Sequence, residues 1–196
     1  WGAGVRPWLG AGERGVGVKG GAAAWSEGVA VGAGGKLGSE LPKNEGQPLL
    51  PATVRAAREH FTTGQGHPPR VAAQPPGSVP DTLLRYWLKK QLGFADPAKA
   101  ASIVGVGIDA AQQAFLAGAV DGVVLREPAL TVVEAKVPDL RVLASGHDMM
   151  PDQPGSVLAL VKPDAPEHQA WAKTLTALFV RATTLLAQHP DDAVPY

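Results

Sequence analysis

Cysteine is absent from the 196 residues. Its absence removes disulfides, thiolate catalysis and cysteine-based zinc sites. An oxidising compartment tolerates such a chain without being implied by it. An excess of one charge is absent too: Lys and Arg number 18, Asp and Glu 18, and the formal net charge is zero. With no basic surplus, neither nucleic acid nor an anionic membrane is expected as a partner. No apolar run approaches the roughly 18 residues of a membrane-crossing helix, so no membrane span is expected. The chain opens on Trp1 without a basic-then-apolar leader. Asp, Ile and Tyr are missing from residues 1–66, where 16 of the 24 glycines fall, some in clusters such as Gly32–Gly35. Glycine at this density loses much backbone entropy on ordering. Residues 1–66 are therefore expected to be largely irregular and weakly packed, with one short helix from Ala52 to Phe61 opened by Pro51.

From His67 onward, apolar runs and helical patterns alternate. Arg70–Ala73 is a short apolar run ended by Gln74-Pro75-Pro76-Gly77. A helix is predicted next, since Ser78 and Asp81 have capping-box spacing and Pro80 suits a first turn. Leu83, Leu84, Trp87 and Leu88 form its stripe, Arg85, Lys89 and Lys90 lie off it, and Gly93 ends it. Ser102–Val106 reads as a strand. Asp109 is placed to cap a helix over Ala110–Ala117 that Gly118 stops. Asp121–Leu125 reads as a strand, Pro128 opens a helix to about Lys136, and Leu140–Ala144 reads as a further strand. A fifth run, Ser156–Val161, follows a loop marked by Pro and Gly. The last element is a helix from Pro166 to Gln188, with Asp164 and Glu167 at capping-box spacing and His189-Pro190 at its end. Its stripe of Trp171, Leu175, Leu178, Phe179, Ala182, Leu185 and Leu186 is expected to be helix core. Three strand–helix repeats closed by a strand predict an α/β fold with a parallel sheet and right-handed crossovers. Val71, Val104, Val123 and Val142 are then expected on adjacent strands.

In such a sheet ligands bind beyond the carboxyl ends of the strands, where helix N-termini point. Topology therefore gathers Gln74–Val79, Gly107–Asp109, Arg126–Pro128 and Ser145–Asp148 on one edge. Gly77 admits a close backbone approach, Ser78 offers a hydroxyl, and the helix start offers free N–H groups, a combination suited to a small oxyanion. The same residues also describe a plain helix cap after a tight turn. Arg126 could clamp an anion. Glu127 could accept from an amine or stabilise a helix start. His147 and Asp148 raise the thought of a dyad or a metal site, but the five histidines show no metal-ligand spacing such as HExxH. Neither metal nor cofactor is expected.

The run Pro75-Pro76-Gly77-Ser78-Val79-Pro80-Asp81-Thr82-Leu83-Leu84 resembles the second-lobe entry of the nitrate/sulfonate/taurine class of ABC solute-binding proteins. Ala114-Phe115-Leu116-Ala117-Gly118-Ala119-Val120-Asp121-Gly122 resembles the same family's helix–turn–strand, and Glu127-Pro128 the acid–proline step after it. The resemblance covers about residues 70–190. It implies a type II periplasmic-binding fold, in which two αβ lobes close on a ligand. Residues 67–145 would be the second αβ ligand-binding lobe. Residues 146–196 would carry the return crossover, near Met149–Gly155, and then a first-lobe strand and helix. Residues 1–66 stand where the first lobe would begin, without its αβ pattern, and Arg126 stands where an aromatic residue is more usual. Together with the edge argument, the resemblance implies Gly77, Ser78, Val79, Thr82, Asp109, Arg126, Glu127 and His147 as ligand-binding residues. The implied function is that of a periplasmic or otherwise extracytoplasmic component of an ABC importer. It would capture a small anion, such as a sulfonate or nitrate, for a permease and ATPase complex.

Two rival functions share the fold. An enzyme of the thiamine-precursor or menaquinone type would need a convergent acid, base or nucleophile, for which only His147–Asp148 is a candidate. The sensing domain of a transcription regulator would bring a helix-turn-helix segment, and residues 1–66 do not read as one.

Overall fold

A computed structural model describes residues 29–43, 49–151, 165–189 and 191. The chain divides into two compact units, Ser26–Asp152 and a second made of Trp1–Trp25 with Gln153–Tyr196. The first unit is built on β1 (Val29–Ala33), β2 (Arg70–Ala73), β3 (Ser102–Gly105), β4 (Gly122–Arg126) and β5 (Arg141–Ser145), in the order β3-β2-β4-β1-β5. β2 pairs in parallel with β3 and β4. β1 runs antiparallel to both of its neighbours, β4 and β5. Val71, Val104, Val123 and Val142 thus lie on four strands of one sheet that point the same way, but β1 separates β5 from β4.

The expectation of an irregular residues 1–66 fails over the described part of that stretch. Besides β1 it forms α1 (Gly35–Ser39) and α2 (Pro51–Gln65), the latter longer than the helix read from sequence. Residues 1–28 and 44–48 lie outside the described residues. Gly32 in β1 and Gly34 just after it mark close approach rather than freedom, whereas Gly35 has a φ of 55°. A Cβ on Gly32 would come within 2.9 Å of Leu140 Cδ1, and one on Gly34 within 2.8 Å of Phe115 Cζ. Gly34→Val is accordingly expected to cost about 1–3 kcal/mol by overpacking. Phe115→Leu in the same chain should recover part of the loss. A denaturant-melt cycle giving strictly additive losses would show that the two residues do not touch.

The remaining helices of this unit are α3 (Val79–Tyr86), which runs into a π-helical turn (Trp87–Gln91), then α4 (Pro97–Ala100), α5 (Ile108–Leu116), α6 (Ala129–Lys136) and α7 (Gly146–Met149). The two-residue period of the strands sends side chains to both sheet faces. Val31, Val71, Ala73, Val124 and Leu143 join the cluster formed with α1, α2, α3 and the π turn. Ala72, Val123 and Leu125 join the cluster formed with α5 and α6. β4 is buried from Gly122 to Leu125 and reads as an unbroken apolar run, as a strand covered on both faces must. Arg58 ties α2 to α4, its guanidinium donating to Ala100 O at 2.7 Å and Lys99 O at 2.6 Å. Arg55 and Arg58 each lie 5.1 Å from the centre of the Phe94 ring.

In the second unit, α8 (Pro166–Gln188) has the predicted bounds. Its N-cap is Ala165, with no side-chain cap bond. Asp164 and the run Ser156–Val161 lie outside the described residues. The expected helix core is corrected: Trp171 is 67% exposed, Leu175, Leu178, Leu185 and Leu186 are exposed, and Phe179 is half-buried. Periodicity defines an apolar face but does not supply the surface that would cover it. Among the described residues no helix is long and apolar enough to cross a membrane.

Candidate functional site

The carboxyl ends of β2, β3, β4 and β5 share one edge of the sheet. β1 begins at that edge, since Val29 lies opposite Arg126 and Ala30 opposite Ser145. The strand order therefore sets out, side by side, the starts of α5, α3 and α6, the entry of β1, and α7. All eight sequence-predicted ligand residues lie on this edge or in the first turns of its helices.

The loop after β2 is closed by a hydrogen bond from Ser78 N to Pro75 O of 3.1 Å. Pro76 and Gly77 sit at the centre of the turn, and Gly77 has a φ of 88°, a conformation that glycine adopts without strain. Among the described residues, no atom beyond the adjacent residues lies within 4 Å of where a Gly77 Cβ would be, so the turn is open on that side. Ser78 is the N-cap of α3, its Oγ accepting from Asp81 N at 3.3 Å. The hydroxyl proton remains available to a ligand, because a serine oxygen can accept while its O–H donates. Asp81 is only 3% exposed. Its Oδ2 accepts from Gly77 N at 3.4 Å and its Oδ1 from Arg85 Nε at 2.8 Å. The capping-box spacing is thus used for a different bond: the carboxylate reaches past Ser78 and fixes the turn before it. Pro80 has no N–H, so the donors left at this helix start are the Ser78 hydroxyl and the Val79 N–H. Val79 and Thr82 flank them, both exposed.

Arg126, the last residue of β4, is exposed and forms no ion pair with a described residue. Of the two roles open to Glu127, the helix-start role is the one observed. Its Oε2 accepts from Thr131 N at 3.1 Å and Thr131 Oγ1 at 2.7 Å. The expected cap of α5 by Asp109 is corrected: Gly107 is the N-cap, without a side-chain bond, and Asp109 lies exposed in the first turn. One residue of register decides this, because helical geometry starts at Ile108. There the Asp109 charge faces the positive end of the helix without closing a hydrogen bond.

At the end of β5, Ser145 and Asp148 form a capping box. Asp148 Oδ2 accepts from Ser145 N at 2.8 Å and Ser145 Oγ at 2.7 Å, while Ser145 Oγ accepts from Asp148 N at 3.2 Å. The Asp148 carboxylate is therefore committed to the start of α7, and His147 stands exposed without it. Among the described residues no cluster of three metal-ligating side chains occurs. At the opposite edge of the sheet, Asp121 accepts from both Arg70 N and Arg70 Nε. The hydrogen bond to Asp121, and then its charge, push the Arg70 guanidinium pKa up. That pair joins β2 to β4 and serves the fold.

Sequence reasoning missed two features of the edge, the entry of β1 and a clamp on α7 made by Gln91. Gln91 follows Leu84 by seven residues in an otherwise apolar stripe, and that polar interruption is the signal that could have found it.

A model of the NMT1-like family matches residues 22–194. The periplasmic aliphatic sulphonate binding protein SsuA from Escherichia coli is similar in structure with a TM-score of 0.62, at 20% sequence identity, over 93% of this chain and 49% of that one. The ligand binding component of an ABC-type import system from Staphylococcus aureus, solved with zinc bound, is similar with a TM-score of 0.51, at 19% identity, over 87% of this chain and 48% of that one. At these identities the likeness establishes an α/β fold of the periplasmic-binding-protein kind. The chain spans about half the length of these solved structures. No curated protein sequence matches it.

Proposed function

The chain belongs to the NMT1-like family, and from that premise we propose that it is the ligand-gripping part of an extracytoplasmic solute-binding component of an ABC importer. The observation that carries the reading is the gathering of five chain segments on one sheet edge, with the open Gly77–Ser78 turn at the start of α3 among them. The ligand is a small anion, a sulfonate, nitrate or a similar oxyanion. Ser78 and the Val79 N–H meet it from α3, and Arg126 supplies the opposing charge from β4. Gly77, Thr82, Asp109, Glu127 and His147 line the approach. The second αβ lobe, expected over residues 67–145, takes in β1, α1 and α2 as well, since these share its sheet and core. Residues 146–196 carry the crossover and a share of the first lobe. The partners are a permease and its ATPase, and the site of action is periplasmic or otherwise outside the cytoplasm. One observation and one general argument support binding rather than catalysis. The carboxylate beside His147 is held by Ser145, and gripping a solute needs no reacting group.

The test is calorimetric titration with alkanesulfonates, nitrate and bicarbonate beside a denaturant melt. Ser78→Ala is expected to weaken the best-bound anion about ten- to a hundredfold, the worth of a charge-assisted hydrogen bond of roughly 1.5–3 kcal/mol. Loss of the cap should lower stability by only about 1 kcal/mol. Unchanged affinity with a lowered melt would leave Ser78 as a cap alone. Failure of every anion to bind the wild-type protein would sink the reading.

A further inference from the structure

The α3 helix does not end where its apolar stripe ends. In unbroken α geometry each residue turns about 100°, so Gln91 would lie only about 20° from Leu84 and within the buried face of Leu84, Trp87 and Leu88. The π turn prevents this. Leu92 N bonds to Trp87 O at 3.0 Å, five residues back. The wider turn sets every later residue back around the axis, so Leu92 takes the buried position and Gln91 is left half-buried at the rim. There its Nε2 donates to Asp148 O at 2.6 Å and to Met149 O at 2.8 Å. Only the amide NH2 can meet two carbonyl oxygens. These carbonyls belong to the last turn of α7, where intrahelical partners run out.

We infer that Gln91 is the positioning residue of α7, fixing the turn that carries His147 on the β5 side of the ligand edge. Met149 anchors the same turn by burial, but packing is not directional, whereas the two bonds from Gln91 set its orientation. Through α3 and the π turn, one continuous helix then spans the edge, with Ser78 at one end and the clamp on α7 at the other. The importance of that span for ligand affinity rests on the proposed reading of the edge as the binding site.

The experiment compares wild type with Gln91→Leu and Gln91→Glu by amide exchange at Asp148 and Met150, which are bonded within the turn to Ser145 Oγ and Gly146 O. Gln91→Glu keeps size and reach but removes both donors. Exchange at these two amides is expected to speed up on the order of tenfold in both variants, with β2 and β4 amides unchanged. Equal exchange in wild type and Gln91→Glu overturns the inference, since shape and not the amide would then hold the turn. Titration with ethanesulfonate adds a second arm, expected to show several-fold weaker binding in both variants. If exchange rises but affinity stays, while Ser78→Ala still weakens binding, Gln91 positions α7 but α7 does not serve the ligand edge, and that half of the inference falls without the proposed function. If the wild-type protein does not bind ethanesulfonate or any other anion of the panel, the proposed function falls and exchange alone decides whether Gln91 positions α7.

Discussion

Val31→Lys is expected to destabilise the Ser26–Asp152 unit by more than about 4 kcal/mol, the larger part of the stability of many single domains. Val31 is 2% exposed and sits in β1 opposite Val124 on one side and Ala144 on the other. Because β1 is an inner strand, a lysine there has no sheet margin along which its stem could reach water. The ammonium must be buried without a partner or the strand must leave the sheet, and each route costs several kcal/mol. Ser39→Lys on the exposed end of α1 is the control and should change stability by no more than about 0.5 kcal/mol. Denaturant melts followed by near-ultraviolet circular dichroism distinguish the two. A Val31→Lys protein that melts like wild type would mean that residues 29–33 are not part of the sheet.

Trp87→Ala is expected to cost about 3–5 kcal/mol. Trp87 is 3% exposed and packs in the cluster that joins α1, α2 and α3 to the sheet. It also lines a void of about 40 Å³, with Val31, Val54 and Leu84 among the other walls. Truncation enlarges a space that the surroundings already fail to fill. The helix cannot collapse inward freely, because Ser78 caps one end and Gln91 clamps the other. Trp87→Phe should retain a good part of the stability. The melting temperature of Trp87→Ala should fall by roughly ten degrees or more, given a few degrees per kcal/mol for a unit of this size. A loss below about 1 kcal/mol would place the indole outside the core.

Most of the alternating region was legible because its signals are local. Arg70–Ala73 and Pro166–Gln188 have the bounds read from sequence, β3 ends one residue earlier than read, and β4 and β5 each begin and end one residue later. The Ser78 cap was visible because it depends on residues three apart. β1 was not legible for the opposite reason. Its evidence lies in Phe115 and Leu140, which fill the space left by Gly34 and Gly32 and lie far along the chain. Read alone, those glycines signal loose backbone. Asp109 failed as a cap by one residue of register. The α8 stripe was read correctly as a face and wrongly as buried, since burial depends on a second surface. At the candidate edge, residue types alone did not show how the carboxylates are used. Glu127, Asp148 and Asp81 each bond to nearby backbone N–H groups, which on the proposed reading leaves Arg126 and the Ser78 hydroxyl to meet the ligand.

The antiparallel insertion of β1 also sets an order of assembly. Val29 meets Arg126 and Ala30 meets Ser145, so roughly a hundred residues separate β1 from each of its partners, and closing loops of that length is slow compared with forming neighbouring strand–helix repeats. On the ribosome β1 emerges before either partner exists. At about 5–20 residues per second it waits several seconds with its apolar residues unpaired. It is therefore expected to enter last, between two strands already held by their own helices, and pulse-labelled exchange during refolding should find the β1 amides protected after those of β2 and β4. Until then β4 and β5 offer a gap one strand wide, open to any extended segment that arrives first.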